Sequence, residues 1–303
     1  MAALTTSNIV LPRRVTLEVA SKLHDRSTIA ALSPMDPLTG YTDDAYNYFS
    51  ADTPAEVIGE GEAKSETPAT IAPVEGKLFK VQKTVRMTSE FQWADEDAQE
   101  TIIENVQNAA TDAVSESLDY VVYHAVNPKS GETMSGYTAL SGTATAVTST
   151  DDVLADWDAL IDACIDSDIT GVALSKKYAS EMRKLRTTNG ARVFPEIPAN
   201  MEPGNIEGIA ACASNTVNGR HATTETNVLA FLGDFSTIKW RIARPITVKV
   251  ITAGDPDGLG DLNRYNQIAY RVEAVFSYAV LDPKKLAVLK SAGVKASVRK
   301  ATR

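Results

Sequence analysis

The strongest constraint in this chain is a run of apolar residues at helical spacing between Asp95 and Val126. Ala98, Ile102, Val106, Ala109 and Ala113 form one row, and Ile103, Ala110, Val114, Leu118, Val121, Val122 and Ala125 form a second. Steps of three and four put both rows on one side of an α-helix. Asp95 suits the N-cap, Glu96 and Asp97 suit the positive helix start, and Asn127-Pro128 is a stop signal. About 30 residues at about 1.5 Å each make a rod of roughly 45 Å, well beyond the mean globular helix. The stripe drifts instead of holding a strict heptad, so it predicts a helix laid on a sheet and not a coiled coil.

The stretch before the rod is unusual too. Residues 54–80 hold Pro54, Pro68, Pro73, Gly59, Gly61, Gly76 and five glutamates. Its ends, AEVIGE and KLFKVQ, have β-compatible patterning and predict a long two-stranded excursion with a polar tip. A plain surface loop fits the same composition. An isolated hairpin is marginal in water, so a partner's surface would account for its persistence. Lys80–Phe91 then alternates apolar and polar positions, as a strand does, through Val81, Val85 and Met87. An arm with no core of its own, followed by an oversized helix, suggests a surface made for other copies of the chain.

Residues 1–52 are punctuated by Pro12, Pro34 and Pro37, with one short helix expected over Val15–Asp25. After the rod, Gly136–Thr150 reads as a link. Asp151 or Asp152 caps a helix whose apolar face comprises Val153, Leu154, Trp157, Leu160, Ile161, Cys164 and Ile165. Ile169–Leu174 is strand-like, Ser175 caps a basic helix over Lys176–Arg186, and a long loop follows. IEGIAACAS, NVLAFLGDFS, TIKWRIARPITVKVIT and QIAYRVEAVFSYAV read as strands. Asp282-Pro283 starts a last short helix over Lys284–Leu289, before a basic tail. The pattern is α+β, without regular βαβ alternation.

Composition narrows the function. The chain has 303 residues, 44% hydrophobic and 23% charged, with a net charge of −9. The acidic balance argues against gripping nucleic acid through its phosphates, though not against enclosing it. No run approaches the ~18 apolar residues of a membrane span, and no secretory segment follows Met1. A soluble protein made in a cytoplasm is expected. Cys164 and Cys212 stand apart in apolar settings and read as small buried hydrophobes. His24, His124 and His221 lack metal-ligand spacing and read as surface or packed histidines. No phosphate-binding loop, dinucleotide fingerprint or nucleophile elbow is present, and Gly59–Lys64 is too acidic to cradle phosphate. Asp255–Asn263 (DPDGLGDLN) superficially resembles a calcium loop but has Leu259 where a ligand belongs and no closing Glu, so it reads as a polar turn. The basic helix over Lys176–Arg186 reads as a solvated face. No catalytic residue, cofactor or metal is expected.

The order of these elements resembles the major capsid proteins of tailed bacteriophages, the fold first seen in coliphage HK ninety-seven. The residues that carry the resemblance are AEVIGEGEAKSE, KVQKTVRMTSEFQWAD leading into the rod, DYVVYHAVN at its end, VLAFLGDFS, and RVEAVFSYAVLDPKKLAVL near the C-terminus. The likeness implies an N-terminal arm (1–53) and an extended loop (54–80) reaching a neighbouring subunit. It also implies a peripheral domain (81–140 with 264–303) holding a spine helix at about 95–126, and an axial domain (141–263), with DPDGLGD near the axial domain's inter-subunit contacts. It implies a structural, non-enzymatic protein that self-assembles as hexamers and pentamers into an icosahedral shell. That shell would enclose double-stranded DNA in the virion and be assembled in the host cytoplasm. Portal, separate scaffold and decoration proteins are the implied partners. Hinges would lie at Pro54, Gly59, Gly61 and Gly76. Some relatives join a Lys to an Asn beside a Glu, and the counterparts here would be Lys64 or Lys77, Asn266 and Glu273. Asn and Glu are common in strands, so non-covalent assembly is the expectation. An encapsulin-type compartment shell is the alternative reading, and an α+β enzyme a more distant one.

Overall fold

A computed structural model describes residues 27–37, 45–50, 56–64, 70–90, 108, 112–150 and 152–292. The helix expected over Val15–Asp25, the cap Asp95 with most of the rod, Pro54 and the basic tail lie outside these residues. In chain order the elements begin with α1 (Thr28–Leu32), β1 (Ala45–Ser50), β2 (Thr70–Glu75), β3 (Lys77–Thr88) and α2 (residues 112–119). There follow α3 (Leu140–Thr143), β4 (Thr145–Thr148), α4 (Val153–Asp162), β5 (Gly171–Leu174) and α5 (Lys176–Lys184). The last strands are β6 (Asn205–Ile206), β7 (Ile209–Ala213), β8 (Val228–Gly233), β9 (Ile238–Ile251), β10 (Gln267–Val280) and β11 (Leu286–Lys290).

The strands form three groups. β1 and β2 make an antiparallel ribbon, and β3-β10-β9 make a long antiparallel sheet. The largest sheet has the order β4-β11-β8-β5-β7-β6, with parallel pairs at β4/β11 and β5/β7. Its inner strands are buried on both faces, which accounts for near-continuous apolar runs such as VLAFLG. Val172 and Leu174 of β5, and Ala287 and Leu289 of β11, pack with Trp157 and Leu160 of α4 and Tyr178 and Met182 of α5. Ala173 and Val288 point the other way, as a period of two requires.

That second face belongs to a core shared by both sheets. Val114 and Leu118 of α2 join Phe79, Trp240 and Phe276 of the three-stranded sheet and Phe231 of β8. Tyr123 stacks on Phe231 with ring centroids 4.4 Å apart, and Phe79 stacks on Phe276 at 5.4 Å. The described end of the rod therefore packs on sheets, as its drifting stripe predicts.

Four expectations need correction. The rod does not run to Asn127-Pro128. Its last turn widens into a π-turn over Tyr120–His124, and Ala125 closes it at φ 52°, donating its N–H to the Tyr120 and Val121 carbonyls. The chain turns back at once, because Val126 bridges Thr133 and Met134 N–H donates to the Ala125 carbonyl. The paired strands of the excursion are β1 and β2, whereas residues 56–58 belong to no strand and KLFKVQ is the start of β3. Lys284–Leu289 is a 3-10 turn at Pro283–Lys285 followed by β11. A short apolar run is ambiguous between helix and strand, and the slot between β4 and β8 decides it. On α4, Trp157 and Leu160 are buried, but Leu154 and Ile165 are 40% and 71% exposed. The caps at Asp152 and Ser175 form as expected, accepting from Leu154 N–H and Tyr178 N–H.

Candidate functional site

The densest polar construction joins the N-terminal segment to the end of α2. Asp119 is fully buried in a helix end otherwise dominated by apolar side chains. Its carboxylate accepts from the Thr28 N–H and hydroxyl, each at 3.0 Å, and from the Ile29 N–H at 3.2 Å. The hydroxyls of Ser27 and Thr216 complete the set. Thr28 Oγ1 also lies 2.9 Å from the Tyr123 hydroxyl. Burial pushes the Asp119 carboxyl up and outweighs these hydrogen bonds, which pull it down. Ser27 doubles as the cap of α1, accepting from Ala30 N–H. One carboxylate thus fixes α1, the rod's end and the loop at Thr216. From α1 the chain continues onto β9: the Trp240 indole N–H donates to the Ser33 carbonyl and Asp36 N–H to the Trp240 carbonyl.

A second construction closes the loop between β9 and β10. Arg86 of β3 donates from Nε to both Asp257 oxygens at 2.8 Å, and from Nη2 to Asp255 at 3.0 Å and to the Gly260 carbonyl at 2.8 Å. Asp255 also accepts from the N–H groups of Gly258 and Gly260, at positive φ of 80° and 102°. Asp255 and Asp257 thus turn inward onto a guanidinium, which holds the Asp257 carboxyl below its usual range. The loop sits at the end of the three-stranded sheet and not on the six-stranded one.

The residues singled out in the sequence do not converge. Lys64 is exposed beyond the turn at Gly59–Glu62, where Gly59 accepts from and donates to Glu62. Gly61 has φ 84°, a conformation that favours glycine. Gly76 is buried at the joint between β2 and β3. Lys77 starts β3, exposed, opposite Tyr278. Asn266 is exposed at φ 53° before β10, and Glu273 lies mid-strand with its carboxylate 3.2 Å from Lys80 Nζ. Asp119 and Arg86 were missed by sequence reasoning. An aspartate beside YVVYHAV was the available signal for the first, whereas an arginine on an alternating strand gave none for the second.

The titratable groups are packed and not poised for chemistry. His124 Nε2–H donates towards the Thr216 and Val217 carbonyls at 3.2 and 3.0 Å, and Nδ1 is buried without a partner. Burial, first, and the charge of Lys290 lower its pKa to about 4. A cleft of about 520 Å³ beside it is lined by Glu132, Thr133, Ser141 and residues 222–226, with no nucleophile–base pair among them. Burial raises both thiols, Cys212 to about 11. Among the described residues no cluster of His, Cys, Asp or Glu could hold a metal, and no helix is long and apolar enough to cross a membrane.

Two predictions follow from this geometry. Asp119→Ala leaves several buried donors unpaired and costs about 3 kcal/mol of stability in urea unfolding. It also exposes the segment around Ile29 to proteolysis. The second concerns His124, which is neutral when folded down to about pH 4 while the unfolded imidazole protonates near 6.5. Between those values the unfolded chain binds the extra proton, so the contribution is complete above about 6.5 and lost as pH falls towards 4. It amounts to about 3 kcal/mol, and His124→Gln should flatten that part of the stability–pH curve.

Comparison with known proteins places these elements. Residues 7–291 match the Phage capsid family. A solved structure from Mycobacterium phage Ogopogo is 31% identical, with TM-score 0.76, 88% of this chain covered and 92% of that one. One from Gordonia phage Cozz is 24% identical, with TM-score 0.71 and 88% and 87% covered. The capsid of an empty GTA particle shares the fold at 13% identity, TM-score 0.59, with 97% and 96% covered. No curated protein sequence matches the chain. With the family's match running from the N-terminal segment through β11, and with a phage relative at 31% identity, this chain belongs to the phage capsid family and is a structural capsid protein of the virion.

Proposed function

We propose that the chain forms its shell by distributed, non-covalent binding among many copies, arranged as hexamers and pentamers in an icosahedral shell around double-stranded DNA. The observation that carries this reading is the β1–β2 ribbon. Its two strands belong to no larger sheet among the described residues, and beyond β1 lies a polar tip with Val57 98% exposed. Two strands alone are marginal in water, so a neighbouring subunit's surface is the natural stabiliser. The ribbon departs at Gly76, from a body held rigid by the shared core. On this reading residues 1–53 act as an arm and 54–80 as the loop that reaches the neighbour. The rod's surroundings act as the peripheral part, and most of 141–263 acts as the axial part. Interfaces of obligate size, several thousand Å² in sum, act collectively, and ring closure makes the shell persistent. The net charge of −9 keeps the grip on enclosed DNA weak. Portal, scaffold and decoration proteins are further partners, assembly takes place in the host cytoplasm, and the chain has no enzymatic activity of its own.

Cross-linking through Lys64 or Lys77, Asn266 and Glu273 is not part of this mechanism, because Glu273 already faces Lys80 of its own subunit. Denaturing gel electrophoresis of purified shells should give a single monomer band, and a ladder would contradict non-covalent assembly. Deleting Glu60–Val74 removes the tip and most of β2. The deletion variant should stay folded by circular dichroism yet yield no closed shells in electron microscopy. Normal shells from it would remove the ribbon from the mechanism.

A further inference from the structure

We propose that neighbouring copies are joined head to tail by opposite charge, the aspartate-rich outer face of α4 on one copy meeting the cationic end of α5 on the next. The proposal rests on the shell reading above and names one of its contacts. Residues 151–168 contain seven aspartates and no Lys or Arg, whereas residues 176–192 contain six Lys or Arg and one carboxylate, Glu181. The two blocks therefore carry formal charges of −7 and +5 (six minus one). The blocks include α4 and α5, which pack against the same face of the six-stranded sheet through Trp157 and Leu160 on one and Tyr178 and Met182 on the other.

Among the described residues, each block has an outward face that no other part of the chain covers. On α4 and the turn after it, Leu154, Asp158, Asp162 and Ile165 follow helical steps of three and four, and all four are exposed. Leu154 and Ile165 stand at the two ends of this strip with the carboxylates between them, so the face offers a partner apolar contact on either side of its charge. On the cationic side, Lys184, Arg186 and Arg192 are exposed. Arg186 and Arg192 stand opposite each other in an isolated antiparallel bridge, a pairing of like charges that costs stability unless an anion joins them. The Arg186 guanidinium donates only to the Arg183 and Leu185 carbonyls. Among the described residues, Asp158, Asp162, Asp166, Lys184, Arg186 and Arg192 form no salt bridge with one another or with any other group.

The occupant that fits is a second copy. The faces are complementary in sign, without ion-pair partners among the described residues, and present on every copy. Two different patches in contact make a heterologous interface, which closes into a ring when the rotation allows. A nucleic acid would find the aspartate block in the same layer as the cations and would leave Leu154 and Ile165 without a role. The contact lies at an exposed rim, so it sets partner choice and registration and weakens with salt.

The test uses the full chain and charge reversal. One triple variant carries Asp158→Lys, Asp162→Lys and Asp166→Lys, and the other Lys184→Glu, Arg186→Glu and Arg192→Glu. Circular dichroism checks folding, and sedimentation measures assembly. Each triple alone should raise the concentration needed for assembly about ten-fold or more. A single chain carrying all six reversals should return it close to the wild-type value, and an equal mixture of the two triples should restore it in part, since alternating copies close a six-membered ring but leave one like-charge contact in a five-membered one. Folded triples that assemble like wild type, or that neither the mixture nor the sixfold variant rescues, would overturn the proposal. A cationic triple that assembles normally but loses co-purifying nucleic acid would assign that face to a polyanion instead. If a triple fails to fold, the neutral set with Asp→Asn, or with Lys→Gln and Arg→Gln, is read by the same concentration shift. A wild-type chain that never assembles would defeat the shell reading itself, an outcome distinct from unchanged assembly of the variants.

Discussion

A buried aspartate that accepts hydrogen bonds from three directions sets the geometry on which the remaining parts depend. Asp119 sits at the end of α2, within the core, and it gathers the backbone of Thr28 and Ile29, the hydroxyls of Ser27 and Thr28, and the loop at Thr216. A carboxylate in that position is expensive unless every lone pair is used, so the N-terminal segment cannot drift without a large cost. From there the chain is stitched to β9 at Trp240, and Tyr46 at the start of the ribbon donates to Asp36 at 2.8 Å. The position from which the ribbon leaves the body is therefore inherited from the clasp. A shell protein needs this kind of connection, because a contact made at the end of an arm is only as well placed as its root.

The second organising fact is the division between a neutral interior and a charged rim. Both faces of the six-stranded sheet are covered, and the core runs without interruption from α2 into the three-stranded sheet. Arg86 pairs with Asp255 and Asp257 of the β9–β10 loop within the subunit. Exposed apolar side chains remain on α4 and the turn after it, at Leu154 and Ile165, and exposed cations remain at the end of α5. Many weak contacts of this kind offset the entropy of association only when they act together, which suits an assembly that must form reversibly before it closes.

Much of the architecture was readable in the sequence where one physical signal dominates. β10 spans Gln267–Val280, as the run QIAYRVEAVFSYAV suggests, and the caps Asp152 and Ser175 act as the side chains of Asp and Ser do at helix starts. The signal fails where tertiary context decides. Leu286–Lys290 has too few residues for periodicity to separate helix from strand, and only its slot between β4 and β8 settles the matter. Leu154 and Ile165 satisfy a helical apolar stripe, yet they are exposed, because spacing alone does not say how wide a strip of the helix the sheet covers. The Asp119 clasp joins residues more than ninety positions apart, and no local pattern encodes such a meeting. The conformation of Ala125 at φ 52° is equally invisible, since alanine is not a residue that announces a left-handed turn.

The central claim is that this capsid-family chain builds a closed shell from copies of itself, and imaging the purified protein tests it most directly. Negative-stain electron microscopy of the full chain, expressed alone and concentrated under assembly conditions, should show rings and closed shells of uniform diameter. Particles of monomer size at every concentration, ionic strength and pH tried would contradict the account.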